Sequence, residues 1–503
     1  MMTKYQQLYI RWQQNRKNLL LFLIFSMVSM LLLSGCGGGE SAPDSETSGV
    51  VNISLTDAPG DFISYGVDVV SLRLTKANGT VVDTLPVKTR VDFAQYTEMT
   101  EFLTAATVPS GRYIKGSMTL DYSNSEIWVE DINGEGVQVS NIIDSNGDKV
   151  SMMEMSVNLE DRASLVIAPG IPMNLSLDFD LKASNTVSFD DQGVATQVIE
   201  PFLLAEVDLE NNKIQRLRGP LKSVNLDEQQ FQVFIRPFYH RIVHGAHHFG
   251  ALNVLTNDET IFEIDGMSYQ GQIGLQTLSE ATALTAVIVK GGLKFYPRRF
   301  EATEVYAGSS VPGGTMDVVR GSVVARNGNE VTLRGATLMR AGGSVVFNDN
   351  VTVTLADSTT VKKQLSMGAY DISEISVGQR LLVFGNIIDN QVNNLTLDAS
   401  NGLARMLMTQ VNGVVVTNDA TPVFDLNLKN INGRSVVIYD FSGTGVDVDN
   451  DADAMNYEID TSVLDVGSIG VGTDVKVRGF VRPFGLAPKD FSANTVIVSA
   501  HTE

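Results

Sequence analysis

The sequence predicts an all-β fold: an N-terminal antiparallel β-sandwich-like domain followed by three repeated small β-barrel-like modules. Three observations carry this expectation. Gly, Val, Thr, Asn and Asp are plentiful and long amphipathic helical runs are scarce, which suits short strands joined by turns. Apolar residues alternate between turn signals, as in Val51, Ile53 and Leu55 or Val70, Leu72 and Leu74. One strand pattern recurs three times beyond residue 215. At 503 residues the chain has room for about three or four domains.

Residues 1–35 read as a lipoprotein signal peptide. Lys4, Arg11, Arg16 and Lys17 precede the apolar run LLLFLIFSMVSMLLL, Leu19 to Leu33, and small residues follow it. The run is shorter than the roughly 20 residues that cross a bilayer comfortably as a helix. Leu33-Ser34-Gly35-Cys36 resembles the lipobox of bacterial lipoproteins, and Cys36 is the only cysteine. That resemblance implies acylation of Cys36 by diacylglyceryl and palmitate-type chains and cleavage before it. By the sorting pattern of the lipoproteins it resembles, Gly37 rather than Asp implies the outer membrane of a Gram-negative bacterium, on its periplasmic or cell-surface face. Residues 36–49 read as a flexible polar tether.

Residues 50–209 carry the sandwich pattern. Asn78-Gly79 and Asn146-Gly147 each mark a hairpin. A short helix is expected at TEMTEFLTAAT, then a turn and strand in VPSGRYIKGSMTLDY. SLTDAPGDF and LTAATVPSGRYIKGSMTL resemble the lipoprotein family called domain of unknown function 4382, which implies a fold but no activity. Asp57 is expected to cap the turn set by Pro59 and Gly60. Asp178 and Asp180 are expected on the polar face of a strand.

The three modules span 215–310, 318–400 and 408–503. Each opens with a strand, GPLKSV, GSVVAR or GVVVTN, and later carries ALTAVIVKG, VGQRLLVFG or VGTDVKVRG. Each ends on FEATEVYA, NNLTLDAS or ANTVIVSA. These units resemble the small β-barrels called domain of unknown function 5666, again without implied activity.

Two stretches are candidate metal sites. His240, His244, His247 and His248 lie in HRIVHGAHHFG, and on a helix all four would share a face suited to a transition metal. Pro237, Gly245 and strand-like neighbours instead predict a loop at a hairpin tip. Asp447, Asp449, Asp451, Asp453 and Glu458 fall at positions 1, 3, 5, 7 and 12 of an EF-hand-like loop, a candidate Ca²⁺ site. Ala452 stands where the sharp turn favours Gly, and YEID around Glu458 reads as a strand.

Other chemistries have no signature. There is no G-x-S-x-G elbow, P-loop or Rossmann glycine pattern, and no catalytic residue is nominated. The aromatics of FYPRRF and IRPFYH suit a sugar-stacking face or a strand core. The net charge is −21, from 37 basic and 58 acidic residues, and removal of the first 35 residues makes it −25. So acidic a chain is not expected to bind nucleic acid. The leading expectation is a non-enzymatic, lipid-anchored envelope protein that presents β-modules for binding, adhesion or matrix interaction. Its partner would be an envelope protein or polysaccharide. The alternatives are an envelope or extracellular polysaccharide hydrolase and an accessory subunit of an outer-membrane or secretion assembly.

Overall fold

The computed structural model describes residues 47–498, apart from 58–61, 98, 160–164, 201, 208–212, 237–248, 296–297, 342, 392–393, 419–422 and 463. The signal sequence, Cys36 and the four clustered histidines lie outside the described residues. Among the described residues no helix is long and apolar enough to cross a membrane.

The first domain is a two-sheet sandwich. Its strands are β1 (Ser48–Thr56), β2 (Phe62–Lys76), β3 (Val81–Asp83), β4 (Thr89–Asp92), β5 (Met99–Pro109), β6 (Gly111–Glu130) and β7 (Gly136–Asp144). They continue as β8 (Met152–Asn158), β9 (Leu165–Ile167), β10 (Met173–Phe179), β11 (Asn185–Phe189), β12 (Ala195–Ile199) and β13 (Leu203–Val207). One layer runs β13-β10-β1-β5 and the other β11-β12-β7-β6-β2-β3. Alternation aims Val51, Ile53 and Leu55 of one layer and Val67, Val69 and Leu72 of the other into a shared core. Two pairs depart from the antiparallel expectation: β1 with β10, and β7 with β12, run parallel. Gly79 takes φ +86° and Gly147 φ +87°, the left-handed conformation that both hairpin turns require.

The stretch expected to form a short helix is the strand β5. Its two faces serve different cores, Leu103 and Val108 facing the sandwich and Phe102 the first barrel. A strand buried on both sides loses the alternation that would reveal it.

The remaining strands build three barrels. The first has β14 (Ile214–Asn225), β15 (Gln230–Phe234), β16 (Ala251–Leu255), β17 (Ile261–Ile264), β18 (Met267–Gln270), β19 (Ala286–Phe295) and β20 (Arg298–Ala307). The second has β21 (Asp317–Asn327), β22 (Glu330–Met339), β23 (Val345–Thr354), β24 (Thr360–Lys363), β25 (Arg380–Gln391) and β26 (Asn394–Leu407). The third has β27 (Thr409–Thr417), β28 (Val423–Ile431), β29 (Arg434–Ser435), β30 (Tyr457–Asp460), β31 (Asp474–Val481) and β32 (Phe491–Val498).

All three close by one rule. The opening strand pairs antiparallel with the next strand and with the penultimate one, while the third pairs parallel with the last. The rings are β14-β15-β16-β20-β19, β21-β22-β23-β26-β25 and β27-β28-β30-β32-β31. This is a five-stranded Greek-key barrel. The recurring glycines sit where strands press together: a Cβ on Gly291, Gly385 or Gly479 would meet a neighbouring carbonyl oxygen at 1.9, 2.4 or 2.0 Å.

The barrels are not beads on a string. β5 pairs parallel with β14, so one sheet runs from the sandwich into the first barrel. The second and third barrels share one continuous core. Residues 47–503 form one compact unit, and every core cluster among the described residues is drawn from within it.

Candidate anion-binding cavity

The opening and penultimate strands of each barrel lie side by side, and side chains alternate between the barrel interior and its outer face. In the first barrel Leu217, Val287 and Val289 point inward. Arg216, Arg218, Ile288 and Lys290 are therefore outward, with Arg216 opposite Lys290 and Arg218 opposite Ile288. In the second barrel the outward pairs are Val318 with Phe384 and Arg320 with Leu382; in the third, the equivalent pair is Gln410 with Arg478.

These outer faces converge on a cavity of about 490 Å³, closed on another side by Gln95 and Met99 of the sandwich. Arg216, Arg218, Arg236, Lys290, Arg320 and Arg405 line it, and among the described residues no carboxylate does. A smaller space of about 70 Å³ shares Met99, Lys290, Arg320 and Leu407 with it and adds Arg380, Gln410 and Arg478. Basic side chains are thus gathered at the centre of a protein whose net charge is −21.

Carboxylates behind the wall hold part of this charge. Glu101, 2% exposed, accepts from Arg216 Nε and from Arg218 Nε, the latter at 2.6 Å. Glu304 pairs with Lys290 at 3.0 Å and accepts from Gln364 Nε2 at 2.9 Å. Glu263 receives two bonds from Arg405, at 2.9 and 2.5 Å, and Arg405 also lies 4.3 Å over the Tyr306 ring. Asp92 faces Arg320 electrostatically. Among the described residues, Glu101, Glu304, Glu263 and Asp92 thus stand behind lining cations. Burial pulls the Lys290 ammonium below its ordinary pKa, against the opposing pull of Glu304. Burial, followed by the charge of Arg216, does the same to Arg218. The Arg216 Nη2 group is buried without a hydrogen-bond partner, a rare and costly state for a charged donor. Such a wall suits an anion, whose oxygens would accept these donors and relieve the mutual repulsion of Arg216 and Lys290.

Of the residues nominated from sequence, the four histidines and Cys36 lie outside the described residues, and the acidic ones lie elsewhere. Asp447 caps a short turn by accepting from Asp449 N at 3.2 Å; Asp451 accepts from Gly445 N and Asp453 from Met455 N, both at 2.9 Å. Glu458 is a strand residue of β30, directly opposite Asp425. Among the described residues, no group of three or more His, Cys, Asp or Glu side chains is placed to hold a metal ion. Asp57 is fully buried and accepts from Leu181 N at 3.0 Å, at the start of a one-turn helix at Leu181–Ser184; the turn at Pro59 and Gly60 that the sequence expects it to cap lies outside the described residues. Asp180 caps that same helix through Ala183 N. Phe300 of FYPRRF is a core residue, 2% exposed, in T-shaped contact with Phe102 at 5.3 Å.

Sequence reasoning missed the cavity residues. Arg216-Leu217-Arg218 reads as an ordinary solvated strand face. The available signal is the internal comparison: Arg216 corresponds to Val318 and Gln410, and Lys290 to Phe384 and Arg478. Positions that vary this freely at one place in a shared barrel are not set by the barrel's own fold.

No curated protein and no solved structure matches the chain. The model of one family, described as Domain of unknown function (DUF4382), matches residues 48–195, which is the sandwich from β1 to the start of β12 and none of the three barrels.

Proposed function

We propose that this protein is a non-enzymatic binding lipoprotein of the cell envelope, held by an acylated Cys36, that captures a small anionic ligand where the sandwich and barrels meet. The observation that carries the binding reading is the wall of six cations enclosing a cavity in an acidic chain. Its volume lies in the range of about 300–1,000 Å³ usual for small-molecule sites. The acidic exterior disfavours nucleic acid, whose backbone it repels, and leaves the internal cations to smaller anions that can enter. The sequence from Lys4 to Cys36 supports the anchor, and the tether of residues 36–49 would let the compact unit stand clear of the membrane. The glycine pattern shared by the three barrels supports their kinship with domain of unknown function 5666.

The test uses the full chain expressed with its own signal sequence in a Gram-negative host. Labelling with an alkyne-tagged palmitate should mark the protein, and Cys36→Ala should abolish both label and signal cleavage. Titration of the purified protein with pyrophosphate should give saturable, salt-sensitive heat, with the anion recovered unchanged. An unlabelled protein would refute the anchor. A hydrolysed probe would refute the non-enzymatic reading.

A further inference from the structure

The cavity has two unlike walls. One is the cationic outer face of the first barrel, with Arg216, Arg218 and Lys290. The other belongs to the second barrel, which adds Arg320 and Arg405 to the lining but also carries an apolar cluster on its outer face. Leu381 and Val383 fill its core, while Leu382 and Phe384, between and beyond them on the same strand, join Val318 and Met339 in a separate outer cluster. Met339, Val345, Leu382 and Leu407 of this face line the cavity.

Resting on the anion-binding reading above, we infer that the ligand is an anionic amphiphile: a carboxylate or phosphate head on a single apolar chain. The argument is one of desolvation. A compact hydrated anion would satisfy the cations but leave Leu382 and Met339 facing its charge. An uncharged apolar molecule would cover those side chains and strip water from the guanidinium groups without replacing its hydrogen bonds. A molecule with both parts satisfies both walls, the head accepting from the arginines and the chain lying on the second barrel. The outer apolar cluster has no role inside its own barrel, since that core closes without it.

The experiment titrates the purified full chain with dodecanoate, dodecyl phosphate, dodecanol and pyrophosphate below the micelle concentration. Dodecanoate or dodecyl phosphate should bind at least about tenfold tighter than both dodecanol and pyrophosphate, and the better of the two identifies the head group. Arg236→Gln, at a half-buried lining position, should weaken every anion about tenfold. Val345→Asn, also half-buried, should weaken the two amphiphilic anions and leave pyrophosphate unchanged. Circular dichroism melts of both variants report whether the fold is kept. Pyrophosphate as tight as dodecanoate would overturn the amphiphile and leave the anion site standing. Dodecanol as tight as dodecanoate, or no binding by any probe, would overturn both.

Discussion

At the scale of single residues, what surrounds a charge decides its role, and a sequence does not display surroundings. Asp490 follows Lys489 in an unremarkable PKD triplet, yet it is 5% exposed and faces Glu458, Asp425 and Asp453. Burial, with those like charges against the help of the Glu458 N–H, pushes its carboxyl up to about 7. Neighbouring Lys489 is drawn away to Asp460 at 3.2 Å. An unfolded aspartate titrates near about 4, so between about pH 4 and 7 the native state holds a proton that the unfolded state releases. The stability linked to this proton is therefore full below about pH 4 and lost as pH rises through about 7. Asp490→Asn keeps an acceptor for Glu458 N and removes the titration. Urea unfolding from about pH 4 to 8 should show the variant matching the parent at the acid end and exceeding it at the alkaline end. Parallel curves would reject this account. The arginines of the cavity were equally hidden: Arg216 and Arg218 alternate as surface residues do, and only the approach of β5 and the second barrel buries them.

At the scale of elements, most of the barrel pattern was legible, because glycine spacing and alternation report the backbone directly. The opening, penultimate and closing strands fall on the repeated motifs, and the Asn-Gly hairpins on their turns. The helix expected around Phe102 failed for a physical reason, since β5 is covered on both faces by different domains. The acidic loop shows the same limit. Its 1-3-5-7-12 spacing is real, but Asp447, Asp451 and Asp453 each accept a nearby backbone N–H, and Ala452, whose N–H bonds Thr444 Oγ1 at 2.9 Å, packs against the core. These carboxylates brace the loop's own backbone, and a lost hydrogen bond of this kind costs about 1 kcal/mol. Asp451→Ala should therefore lower the unfolding free energy by about that amount whether millimolar calcium or a chelator is present. A cost that appears only with calcium would show that the loop gathers around the ion instead.

At the scale of the whole molecule, the modules are welded by charges that tandem repeats do not need. The β6–β7 turn of the sandwich reaches the second and third barrels at once. Arg434 of the third barrel, 6% exposed, donates to Glu130 at 3.0 Å, to the Gly134 carbonyl at 2.9 Å and to Asp349 of the second barrel at 2.9 Å. Arg334 closes the circuit between Asp349 and Glu135. None of this was legible in sequence, since Glu130 and Arg434 are 304 residues apart and each reads as a surface charge. The contact bears on the cavity, whose walls come from the sandwich and the first and second barrels and which stays formed only while these keep their places. Arg434→Ala leaves Glu130 and part of Asp349 buried without their cation, a loss worth about 3–5 kcal/mol. Because the lost bonds join modules rather than stabilise any one of them, the deficit should appear as broken cooperativity. Differential scanning calorimetry should resolve the parent's main transition into two, with the sandwich melting apart from the second and third barrels. Arg434→Lys, which can keep one charge-assisted bond but not the fork, should fall between. A single transition merely shifted to lower temperature in both variants would mean that the shared sheet at β5 and β14, with the Arg405–Glu263 and Gln364–Glu304 bonds between the first two barrels, couples the molecule without Arg434.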